Sequence, residues 1–188
     1  MRKLILLTVL GLLLATTAAF AGPPPADPPG SIPLDELGIF PREKLSVEIN
    51  LGPPLLRLIA AATGKEDPEF SRLIANLREI RVQVFPATAG DAGSIRTRIG
   101  RAVSWLEDHG WAATVKVREQ DEETFIYMKE ADGNIQGLTL LSFQPGEEAV
   151  VINIVGRIDP AQLGRLGQTL DIPELQKAPA GKKDDKKP

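Results

Sequence analysis

The sequence predicts an α+β domain, an antiparallel sheet with helices packed on it. Three observations predict it. Four extended segments lie between Trp111 and Gly156 with only short turn signals between them, which is the pattern of a C-terminal four-strand meander. One or two N-terminal strands of the same period-two kind precede them, at Leu45–Leu51 and Arg78–Phe85. The segments between and after these strands repeat their apolar residues at helical spacing instead.

Leu45 to Leu51 alternates apolar and polar, as a strand with one buried face does, and Gly52-Pro53-Pro54 stops it. Leu55 to Thr63 follows as a short helix, with Pro at its start and Gly64 past its end. Asp67-Pro68 supplies an N-cap and a first-turn Pro. Phe70, Leu73, Ile74 and Leu77 then fall on one face of a second helix. Ile80, Val82 and Val84 alternate through the next strand until Pro86. A third helix is expected from Asp91 to Asp108, with Ile95, Ile99, Ala102 and Leu106 inward and Gly110 as its stop.

In the meander, Trp111, Ala113, Val115 and Val117 are expected on one face of the first strand. The acidic turn Asp121-Glu122-Glu123 leads into Thr124–Glu130. Asp132-Gly133-Asn134 turns into Ile135–Phe143, and Pro145-Gly146 turns into Ala149–Gly156. Val150 to Val155 is apolar on both faces except at Asn153, so this strand belongs in the middle of the sheet. Asp159-Pro160 caps a last helix with Leu163, Leu166 and Leu170 inward.

The ends differ in character from this unit. Residues 1–21 read as a signal peptide: Arg2-Lys3, the apolar run Leu4–Leu14, then small residues with cleavage expected after Ala21. The run is too short for a spanning helix, which needs ~20 residues. The protein is therefore expected to be periplasmic or secreted. Residues 22–31 form a Pro-rich linker, 32–176 a single domain, and 177–188 a Lys-rich disordered tail. Loss of Arg2 and Lys3 with the leader takes the formal charge from −3 to about −5, which argues against binding nucleic acid.

The chain has no Cys and one His. That excludes thiol nucleophiles, disulfides, thiolate metal sites and multi-imidazole metal centres, and any Ser-His-acid triad would have to use His109. No cofactor or metal is expected.

The run Gly137-Leu138-Thr139-Leu140-Leu141, the turn Pro145-Gly146-Glu147, and Val150 to Pro160 with Leu163 and Leu166 resemble the exported bacterial proteins of domain-of-unknown-function family 4252. The similarity is clearest over residues 137–166 and extends over 45–170. The resemblance implies a small envelope protein of a Gram-negative bacterium with no assigned activity, in a family many of whose members are lipoproteins. It also implies an envelope-stress or sigma/anti-sigma context. This chain lacks the lipobox Cys that lipid anchoring requires.

No residue presents a catalytic constellation. His109 ends a helix beside Glu107 and Asp108, where the helix dipole favours a cationic cap. Asp121-Glu122-Glu123 and Glu147-Glu148 read as solvated turns, without the alternate spacing of a calcium loop. Arg72, Arg78, Arg81, Arg96, Arg98 and Arg101 fall on the second helix, the following strand and the third helix. Arg98 and Arg101 on one helical face would suit a carboxylate or phosphate. Phe125, Tyr127 and Lys129 share a strand face that could meet a partner, with Ile126 and Met128 on the other. Asn153 is a buried amide that needs partners or a pocket. The expected contact residues are therefore Arg98, Arg101, Phe125, Tyr127 and Asn153. The expected role is a non-enzymatic protein-interaction module for an envelope partner. One alternative is a carrier of a small apolar ligand, and another is a hydrolase pairing Glu122 with Asp132 or Glu147.

Overall fold

A computed structural model describes residues 27–119 and 122–159 of the chain. Its six strands are β1 (Val47–Leu51), β2 (Leu77–Pro86), β3 (Ala112–Arg118), β4 (Glu123–Ala131), β5 (Asn134–Phe143) and β6 (Glu148–Ile158). They make one antiparallel sheet in the order β1-β2-β6-β5-β4-β3. The α+β prediction and the meander from β3 to β6 are both present, and the apolar strand β6 lies inside the sheet between β2 and β5. The β4–β5 turn is Asp132-Gly133 with φ of 54° and 73°, the doubly left-handed conformation that matches the twist of a two-residue hairpin.

Among the described residues, four α-helices accompany the sheet: α1 (Leu34–Leu37), α2 (Pro53–Thr63), α3 (Pro68–Ala75) and α4 (Ala92–Asp108). The connection through α4 carries the chain from β2 to the far edge at β3, and this lays the helix over one sheet face. There Ile95, Ile99, Ala102 and Leu106 pack with Phe125, Tyr127, Leu141, Phe143 and Val151. The stretch from Ile32 to Phe40 completes this layer, with the Phe40 ring stacked on Phe85 at 5.4 Å. On the other face Leu56 and Ala60 of α2 and Leu73 and Ile74 of α3 pack on Ile80, Leu138, Ile152 and Ile154. The Asp67 carboxylate accepts the Phe70 amide at 2.9 Å, so the predicted N-cap of α3 is in place.

Several expectations are corrected. Helix α3 ends at Ala75, so Leu77 opens β2 rather than closing the helical face. The strand from Trp111 does not keep one face, because Thr114 is a bulge: Ala113 pairs with Tyr127 while Val115 pairs with Ile126. Beyond the bulge the alternation is inverted. Trp111 packs under α4, Val115 on the opposite face, and Lys116 and Arg118 lie over the rings of Tyr127 and Phe125.

The linker reading of residues 22–31 fails at its end. Gly30 is buried against β5, where a Cβ on Gly137 would lie 2.4 Å from the Gly30 Cα. Only glycine at both positions lets the two backbones cross so closely. Residues 1–26, the tail 177–188 and the last helix expected after Asp159 lie outside the described residues.

Candidate interaction surface

The alternation of β1 predicts one buried face, and the structure buries it only in part: Leu51 packs on the core. Val47 and Ile49 are each 41% exposed, although they stand on the same side as their paired residues Val84 and Val82. Helix α2 follows immediately on that side. From Leu55 to Ala62 it is apolar at every position except Arg57, more than one helical stripe can bury. Leu56 and Ala60 take the core, leaving Leu55 at 43% and Leu58 at 65% exposed. These four are the large apolar side chains that stand exposed among the described residues.

The two sheet edges differ. Strand β3 ends the sheet with a bulge and with exposed Lys116 and Arg118, devices that keep a foreign strand from pairing. Strand β1 pairs with β2 in unbroken register and carries one charge, Glu48, whose carboxylate lies 3.3 Å from Arg42. Its outer edge is, among the described residues, unpaired.

The residues singled out from the sequence lie elsewhere. Arg98 is half-buried and Arg101 exposed on α4. Among the described residues neither forms an ion pair, whereas Arg96 meets Glu123 at 2.5 Å and Arg81 lies 3.4 Å from Glu79. Phe125 and Tyr127 are buried beneath α4, so the face proposed to meet a partner is core, closed by the helix that crosses it.

Asn153 is fully buried, and it faces chain rather than a pocket. Its Nδ2 donates to Gly30 O at 3.0 Å, Thr139 Oγ1 at 3.1 Å and Leu138 O at 3.3 Å. Its Oδ1 accepts from the Ile32 amide at 3.3 Å and Arg81 Nη2 at 3.2 Å. The amide that sequence reading offered as a ligand contact is thus consumed in holding residues 30–32 on the sheet.

His109 stacks on Trp105 at 4.0 Å and its Nδ1 sits 2.7 Å from Trp105 O, a helix-end arrangement. Lys129 reaches the His109 carbonyl and adds a cation at the same helix terminus. Beside it, Glu107 accepts from Lys116 Nζ and from Tyr127 OH, both at 2.7 Å. The Lys116 and Tyr127 hydrogen bonds hold the Glu107 carboxyl below its ordinary range, and the bond to Glu107 raises the Lys116 ammonium. Burial, and then the bond to Glu107, pushes the Tyr127 phenol up.

Two open grooves are lined mainly by charged and amide side chains. One runs past Asp35, Arg42, Glu48 and Asn50 on the α1 side of β1, and the other lies between Asn76, Arg78, Gln136 and Arg157 at the end of β2, β5 and β6. Among the described residues there is no group of three or more His, Cys, Asp or Glu placed to hold a metal ion, and no helix long and apolar enough to cross a membrane.

Compared with known proteins, the chain matches one family model over residues 42–166, that of a domain of unknown function (DUF4252). No curated protein matches it, and no solved structure matches it. The matched span covers the six described strands and the described helices α2 to α4, and begins after the stretch Ile32–Phe40 that packs under α4.

Proposed function

We propose that this chain, which belongs to the DUF4252 family of domains of unknown function, is an exported, non-enzymatic interaction module that binds protein along β1. One observation carries the reading. An edge strand with the sequence of a half-buried strand leaves Val47 and Ile49 each 41% exposed, and the adjoining helix exposes Leu55 and Leu58. Exposed large apolar side chains confined to one strand and the helix that follows it, on a chain rich in charge, support a binding role for that strand. A strand edge offers main-chain hydrogen bonds as well as side-chain contacts. Export rests on the basic, apolar and small-residue organisation of residues 1–21.

The alternative of an apolar-ligand carrier would need an enclosed apolar cavity, and both described grooves are open and polar. The hydrolase reading would need converging acids. Glu122 precedes β4 and Asp132 follows it, so the two stand at opposite ends of a nine-residue strand, and Glu122 accepts from Thr124 at 2.9 Å.

The test is site-specific photocrosslinking in living cells of the native envelope. A photoreactive residue at Ile49 should give a discrete crosslinked species, and one at Arg98 should not. Crosslinking from Arg98 alone, or from neither, would sink the β1 reading. Fractionation of the full chain against a variant lacking residues 1–21 tests export: retention of both in the cytoplasm would overturn it.

A further inference from the structure

We propose that the occupant of the β1 edge is β1 of a second copy of this chain, joined antiparallel about a two-fold axis centred on Ile49. This rests on the reading of β1 as an interaction surface and names its partner.

The strand is self-complementary. Val47-Glu48-Ile49-Asn50-Leu51 paired with itself in reverse sets Val47 opposite Leu51 of the second copy, Ile49 opposite Ile49 and Glu48 opposite Asn50. Every apolar residue then meets an apolar one, and no charge faces a like charge directly. Glu48 brings its own neutralising cation, because Arg42 bridges it at 3.3 Å and Asp35 at 3.1 Å. Those ion pairs stand on the opposite side of the strand from Val47 and Ile49, clear of the apolar row.

The axis that relates two in-plane antiparallel strands is perpendicular to the sheet, so equivalent faces adjoin. Helix α2 of each copy is therefore on the same side as the joined Val47, Ile49 and Leu51. The six-stranded sheet becomes a continuous twelve-stranded one. Its two free ends are then both β3, the edge already blunted by a bulge, Lys116 and Arg118. Of the two edges, the one without such protection is the one that pairing removes.

The chain has no Cys, so engineered thiols report contacts without background. Full-length sequence is expressed, and the protein purified from the cells is examined at about 100 µM by light scattering and under mild oxidation. Wild type should show twice the chain mass. Ile49→Cys should form a disulfide dimer in most molecules, and a mixture of Glu48→Cys and Asn50→Cys chains should crosslink more than either alone. Ile49→Lys, and Val47→Lys as a second variant on the same side of the strand, should shift the mass to monomer with the circular dichroism spectrum unchanged. A monomeric wild type with no Ile49→Cys dimer overturns the second-copy proposal. If photocrosslinking at Ile49 in cells then captures a different protein, the β1 reading survives without it. If it captures nothing, both fail.

Discussion

Arg81 and Asn153 meet across β2 and β6, with Arg81 Nη2 donating to Asn153 Oδ1 at 3.2 Å, and together they grip the chain that precedes the sheet. Arg81 Nη2 also donates to Ile32 O at 2.7 Å and Ser31 Oγ at 2.8 Å, while Asn153 takes the Ile32 amide and gives to Gly30 O. Arg81 Nε is buried and lacks a hydrogen bond. It lies 3.4 Å from the Glu79 carboxylate, where charge attraction remains but the geometry of a bond does not. A buried polar cluster of this kind stabilises only while its members stay paired.

Replacing Asn153 with Ala should therefore destabilise the protein by about 3 kcal/mol, since several buried groups lose partners at once. At this chain length that corresponds to a fall in Tm of roughly 6–12 °C. Thermal unfolding followed by circular dichroism is the measurement. Limited proteolysis should also show earlier cleavage within residues 27–40. A Tm within a degree or two of wild type would contradict the clasp.

Gly137→Ala and Gly100→Ala should move stability in opposite directions. A Cβ at Gly137 would lie 2.4 Å from the Gly30 Cα and 2.8 Å from the Trp111 ring, so backbone must shift at a cost of about 3 kcal/mol. A Cβ at Gly100, within α4, meets nothing within 4 Å, and Ala there should stabilise by about 0.5–1 kcal/mol. Urea midpoints of the two variants decide the matter; equal losses would mean the crossing is not what requires glycine.

The Glu107 carboxyl is held below its unfolded value, so its contribution is present above the ordinary carboxylate range and is lost as pH falls through the lowered value. Lys116 and Tyr127 are both raised, so theirs is present below their ordinary values and lost as alkali rises through the raised ones. Glu107→Gln should flatten the acid limb of the stability curve between about pH 5 and 3. The effect should be modest, because Glu107 and Lys116 are each 47% exposed and solvent screens the pair. Urea midpoints measured across that range would contradict the assignment if wild type and variant declined in parallel.

Arg98→Ala combined with Arg101→Ala should leave Tm within about 0.5 kcal/mol equivalent of wild type, because neither side chain forms an ion pair among the described residues. Crosslinking from a probe at Ile49 should be unchanged in this variant. Loss of that crosslink with the fold intact would return the contact surface to the arginine face.

Much of the fold was legible because it depends on local signals. Asp67-Pro68 caps α3, Asp132-Gly133 turns β4 into β5, and the apolar run Val150–Val155 reads as an interior strand wherever its neighbours come from. The single-residue bulge at Thr114 was not legible. Ala-Ala-Thr-Val fits unbroken alternation equally well, and only pairing with Tyr127 and Ile126 shows where the count slips. Phe125 and Tyr127 were read correctly as one face. Whether that face was open or covered depended on where α4 crosses the sheet.

The sequence by itself determined the six strands and the three longer helices among the described residues, the antiparallel meander, the absence of thiol and multi-imidazole chemistry, and membership of the DUF4252 family, while the short helix Leu34–Leu37 went unread. Those follow from period, punctuation and residue type, which act over a few neighbours. The tertiary structure alone decided that Asn153 holds residues 30–32 rather than a ligand, and that the aromatic face is core. It also decided that β1, a strand patterned to be half-buried, leaves Val47 and Ile49 partly exposed. A periodic pattern states that a face is apolar. What covers that face is set by contacts between segments far apart in the chain, and no local signal encodes them.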